Sequence, residues 1–230
     1  LTNTNPVSSG AALHIQNGKR IKVKVVTDTE NTLVDAASGS QKGALYIKGH
    51  AEFAQYGTLN ITGKVKHGIK AGEYITVKNA TINVTSAAGD GINCTQYFLM
   101  ESGKVSLRGF ASDGIECNID GTTSTGETAE HENEDSGNIY IMGGSLWIDM
   151  SNSSGDSIKP DGKKIISSDA TVDITNTTTA IENISQTEQA LKVYNLLGVL
   201  VGVYDSPQML NALPKGTYVI KNSSITKKIS

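Results

Sequence analysis

The sequence has little of several features that mark common protein classes. Its 230 residues include only two cysteines, four prolines and 5% aromatic residues, so it is not a disulfide-stabilised scaffold. Its longest apolar stretch, Val193 to Tyr204, is interrupted by Asn195, Gly198 and Gly202, whereas a bilayer-spanning helix needs about 20 apolar residues. The basic residues form no stripe, and the net charge of −3 argues against nucleic acid as a partner.

The beginning of the chain also lacks familiar signals. It starts at Leu1 without an initiator methionine or a charged and then apolar leader, so we expect a mature or trimmed form whose targeting segment has been removed. The 37% hydrophobic residues and 24 glycines fit a globular protein, and 19% charged residues are too few for a disordered chain. The length predicts one large domain, alone or with a small appendage.

What the sequence does contain is an internal repeat. Asp90-Gly-Ile-Asn-Cys94 recurs 23 residues later as Asp113-Gly-Ile-Glu-Cys117. His67-Gly-Ile-Lys-Ala71 stands 23 residues before the first copy, and Ala44-Leu-Tyr-Ile-Lys48 stands another 23 residues upstream. A spacing that recurs this often indicates a structural unit that the chain forms several times.

The next copy, Asp156-Ser-Ile-Lys159, follows Asp113 by 43 residues. The extra residues fit the stretch from about Gly121 to Gly137, which is rich in glycine, threonine and serine and then becomes acidic. Its acidic residues are Glu127, Glu130, Glu132, Glu134 and Asp135. We interpret this stretch as an insertion that leaves the repeat in phase.

Each repeat alternates apolar and polar residues, as in Leu59/Ile61 and Ile82/Val84, which is typical of short strands. Such a unit cannot bury its apolar face alone, but stacked units can, with parallel strands about 4.8 Å apart. The sequence therefore predicts an all-β right-handed parallel β-helix with about 23 residues per coil. An antiparallel sandwich would need no fixed phase. In the β-helix, Ile92, Ile115 and Ile158 should form one inward column.

The C-terminal segment is different. From about Thr187 the repeat is lost, and apolar residues become more frequent. Residues typical of turns stand at Asn195–Gly198 and Pro214–Gly216. These features predict a small C-terminal β appendage. We therefore expect a β-helix domain at residues 1–186 and a small β domain at residues 187–230.

Asp90, Asp113 and Asp156 occupy the same position of the repeat in neighbouring coils. Stacked carboxylates repel one another by about 1 kcal/mol per pair even at a water-like dielectric, so something must offset their charge. Backbone N–H groups of the glycine-rich turns are one solution, and bound calcium, which takes about six to eight oxygen ligands, is the other. The residues that could complete a calcium site are Asp135, Glu134, Glu116, Asn118 and Asp161.

Two other pairs of residues share slots. Cys94 and Cys117 have the parity of the inward isoleucines, so both buried free thiols and a disulfide are possible. Lys70 and Lys159 follow inward isoleucines and should face outward. Either lysine is a solvated residue or, if burial lowered its pKa, the base of a β-elimination on a uronic acid.

The aromatic residues are concentrated in the first coils. Facing outward they would form a platform for sugar rings, and facing inward they would belong to the core; the sequence leaves both possible. They are Tyr46, Tyr56, Tyr74, Tyr97, Phe53, Phe98 and Phe110.

The repeated motifs resemble the bacterial carbohydrate-binding β-helix family over roughly residues 10 to 176. They are Asn31–Asp35, Gly68–Ala71, Gly89–Ile92, Asp113–Ile115, Ser136–Gly144 and Gly155–Ile158. The resemblance implies a secreted or cell-surface protein with a fold like that of polysaccharide lyases. It also implies calcium between coils and plant-type polysaccharides, such as pectin or cellulose, as partners. Two positions depart from the pattern: Ser157 replaces a glycine, and His67 stands where an acidic residue is common.

Carried over by position, the resemblance makes Asp90, Asp113 and Asp156 the calcium candidates, and Asp135, one of the candidate completing ligands, is added to the predicted metal site. It assigns no catalytic residue. The tail, with Val193–Gly198 and Leu213–Ile220, resembles the C-terminal sorting-type domains of secreted Bacteroidetes proteins, which implies export.

The leading hypothesis from the sequence is a non-catalytic, calcium-stabilised polysaccharide-binding protein, secreted or on the outer cell surface. We expect it to be monomeric. The first alternative is a polysaccharide lyase with Lys70 or Lys159 as the base. The second is a structural or adhesin-like surface module.

Overall fold

A computed structural model describes residues 2–3, 10–18, 20–121, 134–175, 191–204, 210, 213–214, 216–221 and 226–229. The chain divides into two compact units, Leu1–Thr175 and Asn176–Ser230. In the described part of the chain, no helix has the length and apolar character that crossing a membrane requires.

Three parallel sheets build the first unit, and each takes every third strand of the chain. Sheet A contains β1 (Thr2–Asn3), β4 (Glu30–Val34), β7 (Thr58–Gly63), β10 (Thr81–Ala87), β13 (Lys104–Leu107), β16 (Gly144–Asp149) and β19 (Ala170–Thr175). Sheet B contains β2 (Leu13–Ile15), β5 (Gly43–Ile47), β8 (His67–Ala71), β11 (Ile92–Thr95), β14 (Ile115–Asn118) and β17 (Ile158–Pro160). Sheet C contains β3 (Ile21–Lys24), β6 (Ala51–Ala54), β9 (Ile75–Lys78), β12 (Tyr97–Met100), β15 (Asn138–Ile141) and β18 (Lys164–Ile166). The result is a β-helix-like fold, because the chain passes through the three sheets in turn.

Alternate side chains of the strands fill the space between the sheets, since successive residues of a strand point to opposite faces. In sheet B, Ile92 lies opposite Ile115, and Ile115 lies opposite Ile158. All three side chains are buried, so the predicted inward column is confirmed. Burying one such side chain contributes roughly 1.5–3 kcal/mol.

The predicted register is wrong by one residue between β5 and β8. The alignment at 23 residues placed Tyr46 against Ile69, but the strands pair Leu45 with Ile69 and Tyr46 with Lys70. The reason is parity, because a slip of one residue exchanges the two faces of a strand. The observed register keeps Leu45 buried and puts Tyr46 on the outward face beside Lys70.

The insertion leaves sheet B in phase, since β14 and β17 pair Ile115 with Ile158 and Glu116 with Lys159. Residues 122–133, with Glu127, Glu130 and Glu132, lie outside the described residues.

Cys94 and Cys117 lie opposite each other in β11 and β14. Both are buried and free. A hydrogen bond with Cys94, together with burial, raises the pKa of the Cys117 thiol. The thiolate is the nucleophilic form of cysteine, so the raised pKa disfavours the reactive form of Cys117, and both thiols pack in the hydrophobic core.

The structure separates the aromatic residues into two groups. Tyr46 is half-buried on the outward face of sheet B, and Tyr56 is exposed. Tyr74 stacks on Tyr97 with ring centroids 4.6 Å apart. The buried members are Phe53, Phe98, Phe110, Tyr74 and Tyr97.

The second unit contains an antiparallel sheet with the strand order β21-β20-β22-β23. Its strands are β20 (Leu191–Asn195), β21 (Leu200–Tyr204), β22 (Tyr218–Lys221) and β23 (Thr226–Ile229). The predicted turn at Asn195–Gly198 is confirmed: the N–H of Gly198 donates to the carbonyl of Asn195 at 3.0 Å. Gly198 has a φ of +79°, which glycine adopts without steric cost. A small core holds Leu191, Val193, Leu210 and Ile220.

Candidate functional site

A row of outward side chains crosses sheet B, one from each strand. Because neighbouring strands are about 4.8 Å apart, six strands give this row a length of about 24 Å. Each residue lies opposite the next in the adjacent strand, in the order His14, Tyr46, Lys70, Asn93, Glu116 and Lys159. We call this feature the sheet B row.

A pocket of about 520 Å³ opens along the row, where turns from sheet A enter sheet B. Three carboxylates and four ammonium groups line it, so its charges are mixed. The carboxylates belong to Asp90, Asp113 and Glu116, and the ammonium groups to Lys42, Lys66, Lys70 and Lys159.

The aspartates of the turns bind the backbone of the next turn. Oδ1 of Asp90 accepts the N–H of Asp113 at 3.1 Å, and Oδ1 of Asp113 accepts the N–H of Asp156 at 2.7 Å. The repeat produces this chain of hydrogen bonds because it brings the same turn to the same place in each coil. Backbone N–H groups therefore offset part of the carboxylate charge.

Side chains of the row bind the remaining carboxylate oxygens. Nδ2 of Asn93 donates to Oδ2 of Asp90 at 2.7 Å and to Oε2 of Glu116 at 2.5 Å. Nζ of Lys159 donates to Oδ2 of Asp113 at 3.0 Å and to Oε1 of Glu116 at 2.8 Å. Oxygens of Asp90, Asp113 and Glu116 lie within 4.8 Å of one another, and we call these three residues the acidic cluster.

His67 contacts Asp90 in two ways. Nδ1 of His67 lies 3.1 Å from the backbone nitrogen of Asp90 and 3.0 Å from its Oδ2. An unprotonated Nδ1 accepts the backbone N–H, whereas a protonated Nδ1 donates to the carboxylate. The two contacts therefore belong to different protonation states of the ring.

The pocket shifts the pKa values of three groups. Burial alone would raise the pKa of Asp90, but hydrogen bonds from His67 and Asn93 lower it below its ordinary value. Hydrogen bonds with Glu116 and Asp113 raise the pKa of Lys159. Burial lowers the pKa of Lys70, whose Nζ donates to Oδ1 of Asn93 at 2.5 Å. The pKa values of Lys70 and Lys159 are thus shifted in opposite directions, although both residues lie in the sheet B row.

Comparison with protein families matches residues 3–200 to the model described as carbohydrate-binding domain-containing protein. The chain belongs to this family. Among solved structures it is similar to a polysaccharide lyase-like protein from C. thermocellum, determined as a gadolinium derivative. That likeness has a TM-score of 0.46 and 17% identity, and it covers 76% of this chain and 71% of the other. The comparison with curated proteins gives no match.

Two other predicted metal ligands of this carbohydrate-binding family member lie apart from the acidic cluster. Asp156 is exposed and contacts Asp113 through its backbone N–H. Oδ1 of Asp135 accepts the N–H of Asp120 at 3.1 Å. Glu116, which the sequence named as a completing ligand, joins Asp90 and Asp113 instead.

Sequence reasoning missed several residues of the site in this family member. Lys42 and Lys66 lie in turns directly before β5 and β8, and the phase of Lys66 with Gly89 is the sequence signal that could have placed them at the pocket. Asn93 and His67 were not recognised as partners of Asp90, although His67 holds the same repeat position one coil earlier and Asn93 follows Asp90 by three residues in the same coil.

Trp147 was also missed. It is half-buried in β16 of sheet A, and it lies opposite Ser106 and Asp173. Its neighbours Leu146 and Ile148 are buried, so strand parity alone could have placed Trp147 on the outward face.

Proposed function

We propose that this member of the carbohydrate-binding domain-containing family is a non-catalytic polysaccharide-binding protein whose glycan lies along the sheet B row. The observation that carries the proposal is the composition of the sheet B row. The row has aromatic rings at one end and hydrogen-bonding side chains along the rest of its length. The scaffold of the protein would be a right-handed parallel β-helix of about 23 residues per coil with a small C-terminal β appendage. The glycan would be a plant cell-wall type, such as pectin or cellulose.

The chemistry of the row suits a sugar chain. Tyr46 and His14 pair at the aromatic end, with ring centroids 4.5 Å apart and an interplanar angle of 38°, and such rings pack against the apolar face of a pyranose. Further along the row, Glu116 and Lys159 are partly exposed and carry groups that bind hydroxyls. A glycan lying across the strands would pass over the buried Asn93 and meet the other side chains of the row.

We further propose that calcium stabilises the fold at the acidic cluster. Asp90, Asp113 and Glu116 present carboxylate oxygens, the ligands that calcium prefers, and a bound cation would neutralise their mutual repulsion. Lys159 already donates to two of these carboxylates, so calcium would displace its ammonium group. Asp156 and Asp135 stay predictions as further ligands.

We expect calcium to raise the unfolding temperature of the wild-type protein. Asp113→Ala should lose this increment, and Lys159→Met should enlarge it because no ammonium competes for the oxygens. Asp113→Ala should also be less stable without calcium, since Lys159 and the N–H of Asp156 lose their acceptor. Thermal unfolding with calcium and with chelator measures the increments. Equal increments in all three proteins would contradict calcium binding at this cluster.

A lyase is the second candidate function, and one observation favours it. Burial lowers the pKa of Lys70, which brings the amine closer to the neutral form that a general base requires. The hydrogen bonds of Lys159 raise its pKa instead. Of the two lysines named from the sequence, Lys70 is therefore the candidate base.

Electrophoresis in gels that contain polygalacturonate or neutral plant glycans tests the proposed function, together with ultraviolet absorbance of the glycan solutions. We expect retardation by at least one glycan and no rise in absorbance. A rise, caused by the conjugated double bond that β-elimination creates and lost in Lys70→Gln, would favour the lyase. No retardation by any glycan would favour the structural or adhesin-like module.

We further propose that the protein is secreted or held on the outer cell surface and that it is a monomer. The support for this location is the chemistry of the partner, since plant cell-wall polysaccharides lie outside the cell. The second unit would then serve as the sorting-type domain that the tail resembles.

A further inference from the structure

The lysines of the pocket fall into two groups by their partners. Lys159 has carboxylates of Asp113 and Glu116 beside its ammonium group. Within the part of the chain that the structure describes, no carboxylate lies within 4.0 Å of the ammonium groups of Lys42, Lys66 and Lys70. We call these three residues the basic cluster.

Of the basic cluster, Lys70 is partly buried, whereas the other two lysines are exposed residues that line the pocket. Lys70 donates to a neutral acceptor, Oδ1 of Asn93. Burial lowers the pKa of Lys70, and the charge of Lys42 acts in the same direction, while the charges of Asp120 and Glu116 act against it. A negatively charged ligand group in the pocket would offset both effects, because opposite charges stabilise the ionised form.

An aromatic ring adjoins the basic cluster. Tyr46 lies opposite Lys70 in the adjacent strand, and Nζ of Lys42 lies 5.8 Å from the centroid of the Tyr46 ring, within the range of a cation–π contact. The arrangement therefore offers an apolar ring face and positive charge side by side. A uronic acid has the matching parts, since its pyranose has an apolar face and carries a carboxylate at its edge.

We propose that the basic cluster and Tyr46 select polysaccharides built from uronic acids, with the lysines binding the sugar carboxylates directly and without a bridging metal. This inference rests on the proposed glycan-binding function and specifies its substrate class. Calcium at the acidic cluster then stabilises the fold, whereas recognition of the anionic sugar belongs to the other side of the pocket.

Affinity electrophoresis in chelator tests the inference with two forms of one polymer: polygalacturonate, and polygalacturonate whose carboxylates are fully methyl-esterified. We expect the wild-type protein to bind the acidic form and to bind the esterified form at least tenfold more weakly. Lys42→Gln and Lys70→Met should each weaken binding to the acidic form roughly tenfold, since a charged hydrogen-bond partner is lost. Tyr46→Ala should weaken binding to both forms.

Lys24→Gln is the matched control, because it makes the same charge change on β3 of sheet C, where Lys24 is exposed. It should leave binding unchanged. Unfolding temperatures equal to that of the wild type would show that the variants are folded. Equal binding of both polymer forms, or unchanged binding in Lys42→Gln and Lys70→Met, would overturn the inference and leave the proposed function standing. Failure of every acidic and neutral glycan to bind would overturn both.

Discussion

Replacement of Ile115 with alanine is expected to lower the free energy of unfolding of the first unit by about 2–5 kcal/mol, the range for large-to-small changes in a packed core. Ile115 is fully buried and lies between Ile92 and Ile158 in sheet B. With a strand on each side, the column cannot close over the lost atoms, so a cavity remains. Tryptophan fluorescence measures the unfolding of this unit alone, because Trp147 is the sole tryptophan of the sequence.

Ile166→Ala is the matched control, since it removes the same atoms from a side chain that is 44% exposed. Ile166 lies in β18, at the end of sheet C. We expect its replacement to lower the free energy of unfolding by only about 1 kcal/mol, because roughly half of the removed surface is already in water. Similar costs for the two variants would mean that stacking in the column does not stabilise the unit.

The repeat made the core predictable because stacked coils place equal slots on top of one another. Ile92 and Ile115 could be assigned as neighbours from their spacing alone, and the same argument brought Asp90 and Asp113 together. The error at Tyr46 came from trusting the spacing over the parity of the strand. Leu45 and Ile47, on either side of Tyr46 in β5, are buried, and their alternation with Tyr46 already indicated that the tyrosine faces outward.

The partners within the site were harder to predict. A repeat predicts the position of a residue in the stacked coils, but it does not predict the direction in which a long side chain extends. Lys159 lies one strand away from Glu116, yet its ammonium group also reaches the turn aspartate Asp113, because four methylene groups give it that reach. Lys42 and Lys66 belong to turns, where no alternation pattern fixes the orientation of a side chain.

The ion pairs of Lys159 explain why one pocket can hold both the acidic cluster and the basic cluster. Lys159 supplies the acidic cluster with a counter-ion that belongs to the protein itself, so the carboxylates of Asp113 and Glu116 are already partly neutralised. The acidic cluster therefore repels an approaching uronate less than three bare carboxylates would, since like charges interact over distances near the Debye length. The proposed calcium site and the proposed anionic glycan site are thus compatible, since a calcium ion that displaced the ammonium group of Lys159 would itself neutralise these carboxylates.

Replacement of Gly91 with alanine is expected to destabilise the first unit by about 1–3 kcal/mol or more. A Cβ on Gly91 would lie 2.8 Å from the carbonyl oxygen of Gly114, and one on Gly68 would lie 2.7 Å from the carbonyl oxygen of Gly91. The atom in the way belongs to the backbone of the next coil, so relief requires neighbouring coils of the same sheet to move apart. Denaturant unfolding followed by tryptophan fluorescence measures the loss.

Ser157 provides the comparison, because it holds the same repeat position immediately before β17. That strand ends sheet B, so among the described residues no further strand of the sheet lies where the Cβ of Ser157 points. The same position is glycine in the three preceding coils, at Gly68, Gly91 and Gly114, and alanine in the first two, at Ala12 and Ala44. Ser157→Ala should therefore change the free energy of unfolding by less than about 0.5 kcal/mol, and a cost equal to that of Gly91→Ala would show that the glycines are not required by the closeness of the next coil.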